Sequence, residues 1–317
     1  MRRLVAGHGF VLLIILGLTC ISHAYPDRPI NLIIPYPAGG ATDAGARAMV
    51  PFLEKYLGGQ FLVLNRAGAG GELGFAEIAK APADGYTIGF INTPNVLTIP
   101  IERKAKYRME NFAPLANILD DPNAIAVRKE SKFTTLREVV DFAKANPGAM
   151  TYGTTGIGSD DHLAGLKIER LTGVKLTHVP FSGGAQVRQS LMGGHIELGI
   201  YNMAEMVGDI RNGLVRPLGQ MSEQRWEEAA DVPTFREQGF DLVISAARGI
   251  AAPAGIPSAV RDQLALAIEK TLADPAFLAI AKKHPLPLKF MNASNYAAWL
   301  AQQQIAFQKL WDETPWK

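Results

Sequence analysis

The sequence predicts an α/β protein built on mostly parallel sheets flanked by helices. Three observations carry that prediction. Short apolar runs alternate with patterns of helical period along the chain. Several of these runs end in Pro/Gly turns that lead straight into a helical pattern. No repeat or low-complexity tract interrupts the alternation.

The elements follow in order. Residues 31–35 form an apolar run ended by Pro35, Pro37, Gly39 and Gly40, and helix 44–57 follows with Ala44, Ala46, Met49, Phe52, Leu53 and Tyr56 at helical spacing. Strand 61–65 passes through a second turn, Gly68, Gly70 and Gly71, into helix 72–80. Strands 86–91 and 124–128 come next. Helix 135–145 opens with a capping box, Thr135 with Glu138 three residues on. Strand 150–154 leads through Gly153, Gly156 and Gly158 into helix 160–172. Strand 176–180, helix 184–192, strand 196–201, helix 204–211 and strand 214–220 continue the alternation, and a strand at 242–247 follows. The chain then turns helical, with 258–272 opened by Pro257 and Ser258, 275–283, and 295–311 with Ser294 as N-cap.

The first 24 residues read as a cleavable export signal. Arg2 and Arg3 precede an apolar core over 10–18 that is too short to span a bilayer, and Ser22 and Ala24 are small residues at a cleavage site. Cys20 is the single cysteine, and Thr19 before it fits a lipoprotein site poorly. Removing this segment takes away two arginines and no acid, and leaves 30 basic residues against 30 acidic ones. That balance points away from nucleic acid and from anionic membrane surfaces. The remaining ~290 residues suit two lobes. The segment Asp120–Asn123 reads as a break before strand 124–128, and a strand-to-Pro/Gly transition recurs over 249–257. If both are crossovers, 122–246 is a lobe inserted between 25–121 and 247–317, with a cleft between the two.

Catalytic and cofactor motifs are missing from the sequence. No Gly-Lys-Ser/Thr follows Gly39-Gly40, the third glycine turn lacks the dinucleotide spacing, and there is no nucleophile elbow or metal-ligand cluster. No cofactor and no metal are expected. What remains are strand-to-helix turns, which present free amides and the positive end of a helix dipole, a combination suited to an anion. Each turn has two readings. Gly39 and Gly40 either cradle an anion or only permit a tight turn capped by Thr42 or Asp43. Ser159 or Asp160 either meets a ligand or is only an N-cap. His162 reads as packed or capping, and His178 as structural.

The segments Pro35–Asp43, Asn65–Gly71, Ala83–Thr87, Tyr152–Ser159 with His162–Gly165, His178–Ala185, Asp231–Thr234 and Ala252–Pro257 together resemble the substrate-binding proteins of tripartite tricarboxylate transporters, the Bug or TctC-like family. The resemblance runs over nearly the whole chain after residue 24. It implies a two-lobed periplasmic binding protein of type II, a Venus flytrap, that is not an enzyme. Such a protein captures a small carboxylate as a monomer and delivers it to membrane transporter subunits. In that family two loops pinch the carboxylate, largely through backbone amides. They map here onto Tyr36, Ala38, Gly39, Gly40, Thr42 and Asp43 and onto Thr154, Thr155, Gly158, Ser159 and Asp160. Tyr201 and Asn202 stand where the family often has an acidic residue and Asn. Arg248 lies where an aromatic residue usually precedes the Gly of Gly249–Pro253. Arg248 either reaches a distal carboxylate or points to solvent, and Tyr201 either stacks on an aromatic acid or packs between lobes. Phe90, Asn92 and Thr93, at the end of the third strand, are further pocket candidates. Two other functions stay open on sequence, a periplasmic sensor feeding a membrane kinase and an exported hydrolase using His162 with Ser159 or Asp160.

Overall fold

The computed structural model describes residues 25–316. The expected export signal over 1–24, with Cys20, lies outside them.

The alternation read from the sequence folds into two sheets joined by shared strands. In the first sheet β1 (Ile30–Ile34) pairs parallel with β2 (Phe61–Asn65) and β3 (Thr87–Asn92). In the second, β5 (Thr151–Thr154) pairs parallel with β6 (Thr177–Pro180) and β7 (Leu198–Asn202). Helices cover them: α1 (Ala41–Leu57), α2 (Glu72–Lys80) and α3 (Asn95–Glu102) follow β1, β2 and β3, and α4 (Leu136–Ala145), α5 (Asp160–Thr172), α6 (Gly184–Met192) and α7 (Met203–Arg211) belong to the second half. Strand β8 (Val215–Gln220) closes the second sheet's edge.

One long strand, β4, joins the sheets with β9 beside it, and here the structure corrects the sequence reading. The expected break at Asp120–Asn123 is the middle of a single strand, β4 (Phe112–Arg128). Its first part lies antiparallel to β9 (Ser245–Pro253), ending at the pair Pro122–Ser245. Its last part lies antiparallel to β7 and β8, beginning at Asn123–Asn202. A proline lacks the N–H that a sheet interior needs. Pro122 is tolerated because the strand changes partner there. Likewise, the strand expected at 242–247 starts at Ser245 and runs on through the Gly/Ala/Pro segment to Pro253. α3 and β10 (Leu288–Asn292) were not foreseen, and α1 begins three residues earlier than expected.

Each sheet buries side chains on both faces. Ile30, Leu32, Met49, Phe90, Leu115 and Phe277 form one core of the first sheet, and Ile33, Phe75, Ile91, Val96 and Tyr296 the other. Helices α8 (Ser258–Ala273) and α9 (Pro275–Lys283) cover the former, and α10 (Ala293–Glu313) supplies Tyr296 and Leu300 to the latter. The N-cap of α10 is Asn292, whose side chain accepts from Asn295, rather than Ser294. Although 247–317 was read as part of the first lobe, α10 does not stay there. Its last turns bring Leu310 and Trp311, with Trp316 beyond, onto the second sheet's core beside Tyr152 and Leu163. The C-terminal helix therefore straps one half to the other.

Where α10 crosses β9, a glycine is required by close approach. A Cβ on Gly249 would lie 2.6 Å from the Ala116 carbonyl oxygen and would meet the Tyr296 ring. The Tyr296 hydroxyl in turn donates to the Ile91 carbonyl at 3.3 Å. Gly249→Ala is expected to destabilise the protein by about 1–3 kcal/mol through overpacking. Urea denaturation at unchanged m-value measures this; an unshifted midpoint would show that Tyr296 can yield without cost.

Candidate ligand-binding cleft

The carboxyl ends of the parallel strands in both sheets point toward one cavity of about 470 Å³, a size typical of small-molecule sites. From the first half it is lined by the turn after β1, including Tyr36, Ala38, Gly39, Gly40 and Thr42, and by Asn92 and Thr93 at the end of β3. From the second half come Thr155, Asp160 and Asn202, together with the turn Ser182–Gly184 and Glu205. Arg248, on the crossing strand β9, completes the wall. The structure thus brings together eleven of the residues expected from sequence, whereas Phe90, expected beside them, is buried in the first sheet's core.

The turn after β1 leaves the start of α1 open. Gly39 sits at φ +83°, a conformation that favours glycine. Its N–H donates to Asp43 Oδ2 at 2.9 Å, and the same carboxylate accepts from Arg47 Nε at 2.9 Å and Asn65 Nδ2 at 3.0 Å. Asp43 is buried and faces away from the cavity's lining. It fastens the turn rather than touching what enters it. The N-cap of α1 is Gly40, which has no side chain to offer. Among the described residues, no protein acceptor takes the N–H groups of Ala41, Thr42 or Asp43. They are the helix's orphan donors, at the positive end of a 17-residue dipole, and Ala41 and Thr42 line the cavity.

The helices of the second half are capped from within the protein. Asp161 Oδ2 accepts from the Thr155 N–H at 3.0 Å and from its hydroxyl at 2.5 Å, while Oδ1 takes Asn123 Nδ2 at 2.5 Å. Ser159 caps α5 by accepting from the His162 N–H at 3.2 Å. The Gly158 N–H donates to His162 Nδ1 at 3.1 Å. At α7, Asp121 Oδ1 accepts from the Ala204 N–H at 3.0 Å. At α6, the Glu205 carboxylate lies so close to Gly184 that a Cβ there would collide with it. Each of these three helix starts already faces a carboxylate of the chain itself.

Arg248 is the counter-charge of this cluster. It is 3% exposed, so the solvent-facing alternative does not hold. Nη1 bonds Asp121 Oδ2 at 2.8 Å, Nη2 donates to Asn202 Oδ1 at 3.0 Å, and Glu205 Oε1 lies 3.9 Å from Nη2. Asn202 passes the contact on, donating Nδ2 to Asp160 Oδ2 at 2.7 Å.

The other expected site residues lie behind the cleft. Thr154 Oγ1 meets His178 Nε2 at 2.6 Å, and His178 stacks on His162 with ring centroids 4.0 Å apart. The Gly158 carbonyl accepts from Thr98 Oγ1 at 2.8 Å. Tyr201 is fully buried in the second sheet's core with Val187 and Leu191. Ser159 Oγ donates to the Gly156 carbonyl at 2.8 Å. Ser159 Oγ is thus bonded to a carbonyl and the His162 ring to the Gly158 N–H, not to each other. Two features escaped the sequence reading. Ser182–Gly184 repeats the strand–Gly–Gly–helix pattern of the first turn and was legible on that ground. Glu205 carried no signal, because an acid in the first turn of a helix is ordinary.

Burial shifts the acids of the cluster. It raises Asp121 and Asp160, and it raises Asp161 further with the help of neighbouring Asp160. Glu205 is pushed up to about 7 by burial, opposed by Arg248 and Arg188 and reinforced by Asp121 and Asp160. A carboxyl raised in the folded state holds a proton that the unfolded chain releases near its ordinary value of 4.5. Its stabilisation is complete below that value and is lost as pH rises through 7. For Glu205 the loss is about 3 kcal/mol. The melting temperature of the ligand-free protein is therefore expected to be higher at pH 5 than at pH 8, and Glu205→Gln should flatten the profile. A maximum at pH 8 in the unmodified protein would show that Glu205 titrates normally.

Comparison with known proteins agrees with this architecture. The family model described as "Tripartite tricarboxylate transporter family receptor" matches residues 46–313. A protein of the UPF0065 group in the tcbD-tcbE intergenic region of Pseudomonas sp. (strain P51) is 32% identical over 265 residues, 82% of this chain and 78% of that one. The solved TctC solute-binding protein from Polaromonas is 33% identical, with TM-score 0.72 over 91% of this chain and 99% of that chain. The solved MatC of Rhodopseudomonas palustris, with bound malate, is 26% identical with TM-score 0.81 over 91% and 99%. A two-lobed α/β fold, a cleft at the strand ends and this similarity along the chain converge: the protein belongs to the tripartite tricarboxylate transporter receptor family of solute-binding proteins.

Proposed function

We propose that this protein is a periplasmic receptor that captures a small carboxylate in the cleft, closes on it, and hands it to the membrane subunits of a tripartite transporter. In this reading the lobes are 25–121 with 247–317, and 122–246, with the chain end strapped back onto the second lobe. The protein works as a monomer without cofactor or catalytic step and reaches the periplasm by losing residues 1–24. Family membership supports the transporter as partner. The malate held by one structural relative supports a carboxylate as cargo.

The observation that carries the reading is the open N-terminus of α1. The amides of Ala41 and Thr42, without a protein acceptor among the described residues, belong to residues that line a cleft of ligand size, where an anion would meet both donors and dipole. A hydrogen bond to a charged group contributes about 1.5–3 kcal/mol, so several such donors suffice for a micromolar ligand only when the cleft also excludes water. Closure of one lobe on the other supplies that exclusion, and a ligand that bridges both lobes favours the closed form.

Two measurements test this reading. A thermal-shift series of small organic acids with their amides as controls should give stabilisation by an acid and none by its amide. A ligand at 100 times its Kd adds about 2.7 kcal/mol. Ala41→Pro removes one α1 amide at the first helical position, where proline is tolerated, and the extended Gly40 before it suits a proline. The variant should melt like the parent and bind the acid roughly tenfold or more weakly. Unchanged affinity would remove α1 from the site.

A further inference from the structure

The two walls of the cleft carry opposite chemistry. The first offers the open amides of α1. The second presents Asp160 and Glu205 to the cavity, with Asp121 and Asp161 directly behind them. Against these four carboxylates stand Arg248, bonded to Asp121, and Arg188, which is committed to Asp209 through Nη2 at 2.9 Å. The start of α5 is capped by Ser159 and that of α7 by Asp121, while the Glu205 carboxylate lies against the start of α6 without a hydrogen bond to it. Among the described residues, Glu205 has no hydrogen-bond donor. Its closest cation is Arg248 at 3.9 Å, and its side chain is 21% exposed to the cleft. A further acceptor lines the same space. Asn92 is 6% exposed and donates Nδ2 to Thr42 Oγ1, while its buried Oδ1 meets no donor.

We propose that the ligand is an amino-bearing carboxylate, its carboxylate on the α1 amides and its protonated amine seated against Glu205 and Asp160. This rests on the carboxylate-receptor reading and narrows it. An ammonium group supplies donors to Glu205, which has none among the described residues, and a positive charge beside Asp160. A simple dicarboxylate would instead bring a second negative charge against Asp160 and Glu205, with Arg248 already engaged by Asp121 and Arg188, the other cation lining the cavity, by Asp209. Glu205 is held between Arg248 and Arg188 on one side and Asp121 and Asp160 on the other, and burial raises it to about 7. Its charge, and with it the amine contact, should therefore fade as pH falls below 7.

The test is calorimetric titration of the protein after unfolding and refolding to release carried ligand. The probes are α- and ω-amino acids of two to six carbons, each beside the acid lacking the amine and the dicarboxylate of equal length. The expected result is an amino acid bound at least about tenfold more tightly than both of its partners. Glu205→Gln, with circular dichroism unchanged, should erase that preference, and Asp160→Asn should reduce it independently. Preference for a plain acid or a dicarboxylate, or a preference that survives both substitutions, would overturn the proposal while leaving the carboxylate receptor intact. Binding of no member of any series would overturn both.

Discussion

The bond between Arg248 and Asp121 lies where β4 and β9 carry the chain between the two halves of the molecule. β4 pairs in both sheets and β9 lies beside its first part, and these side chains join the two strands where β4 exchanges β9 for β7. Both residues are almost completely buried. A buried ion pair adds little over a well-packed apolar pair, but removing one partner costs about 3–5 kcal/mol because a charge is stranded. Arg248 is therefore less a source of net stability than a constraint on register. It sets which face of β9 meets which face of β4 and, through Asn202 and Asp160, where the floor of the cleft lies.

A division of labour between helix starts follows from that floor. All parallel strands deliver helix N-termini to the cleft, and each brings orphan amides and a positive dipole end. In the second half Ser159 caps α5, Asp121 takes an amide of α7, and the Glu205 carboxylate lies against the start of α6. In the first half Asp43 turns away to hold Gly39, Arg47 and Asn65, and Gly40 offers no cap. The start of α1 is thus left without a cap where Ala41 and Thr42 line the cleft. The strap formed by α10 and Trp316 crosses between the halves on a face built from Tyr296, Leu300 and Trp311, so any opening of the cleft must be accommodated by that helix as well as by β4 and β9.

Much of this was legible in the sequence, for local reasons. Apolar runs of strand length, a capping box at Thr135 and glycine turns between strand and helix are short-range signals, and they located most elements and the first wall of the cleft, Tyr36 to Thr42. The resemblance of ordered segments identified the family. Less legible were residues whose meaning depends on a distant partner. Asp120 to Asn123 read as a break because Asp, Pro and Asn disfavour strands. In the fold, Asp121 is held by Arg248, and Asn123 by Asp161.

The sequence by itself determined the α/β class, the strand–turn–helix units, the family, and the anion-ready turn at the start of α1, because each is set by contacts among residues close in the chain or by a string of motifs read in order. The tertiary structure alone decided that Asp43, Ser159 and Tyr201 face inward, that Arg248 is buried rather than solvent-facing, and that Glu205 joins Asp160 on the far wall of the cleft. The physical reason is that a charged side chain's role is fixed by what neutralises it, and here those partners lie as far as 127 residues away, across strands that change sheets midway.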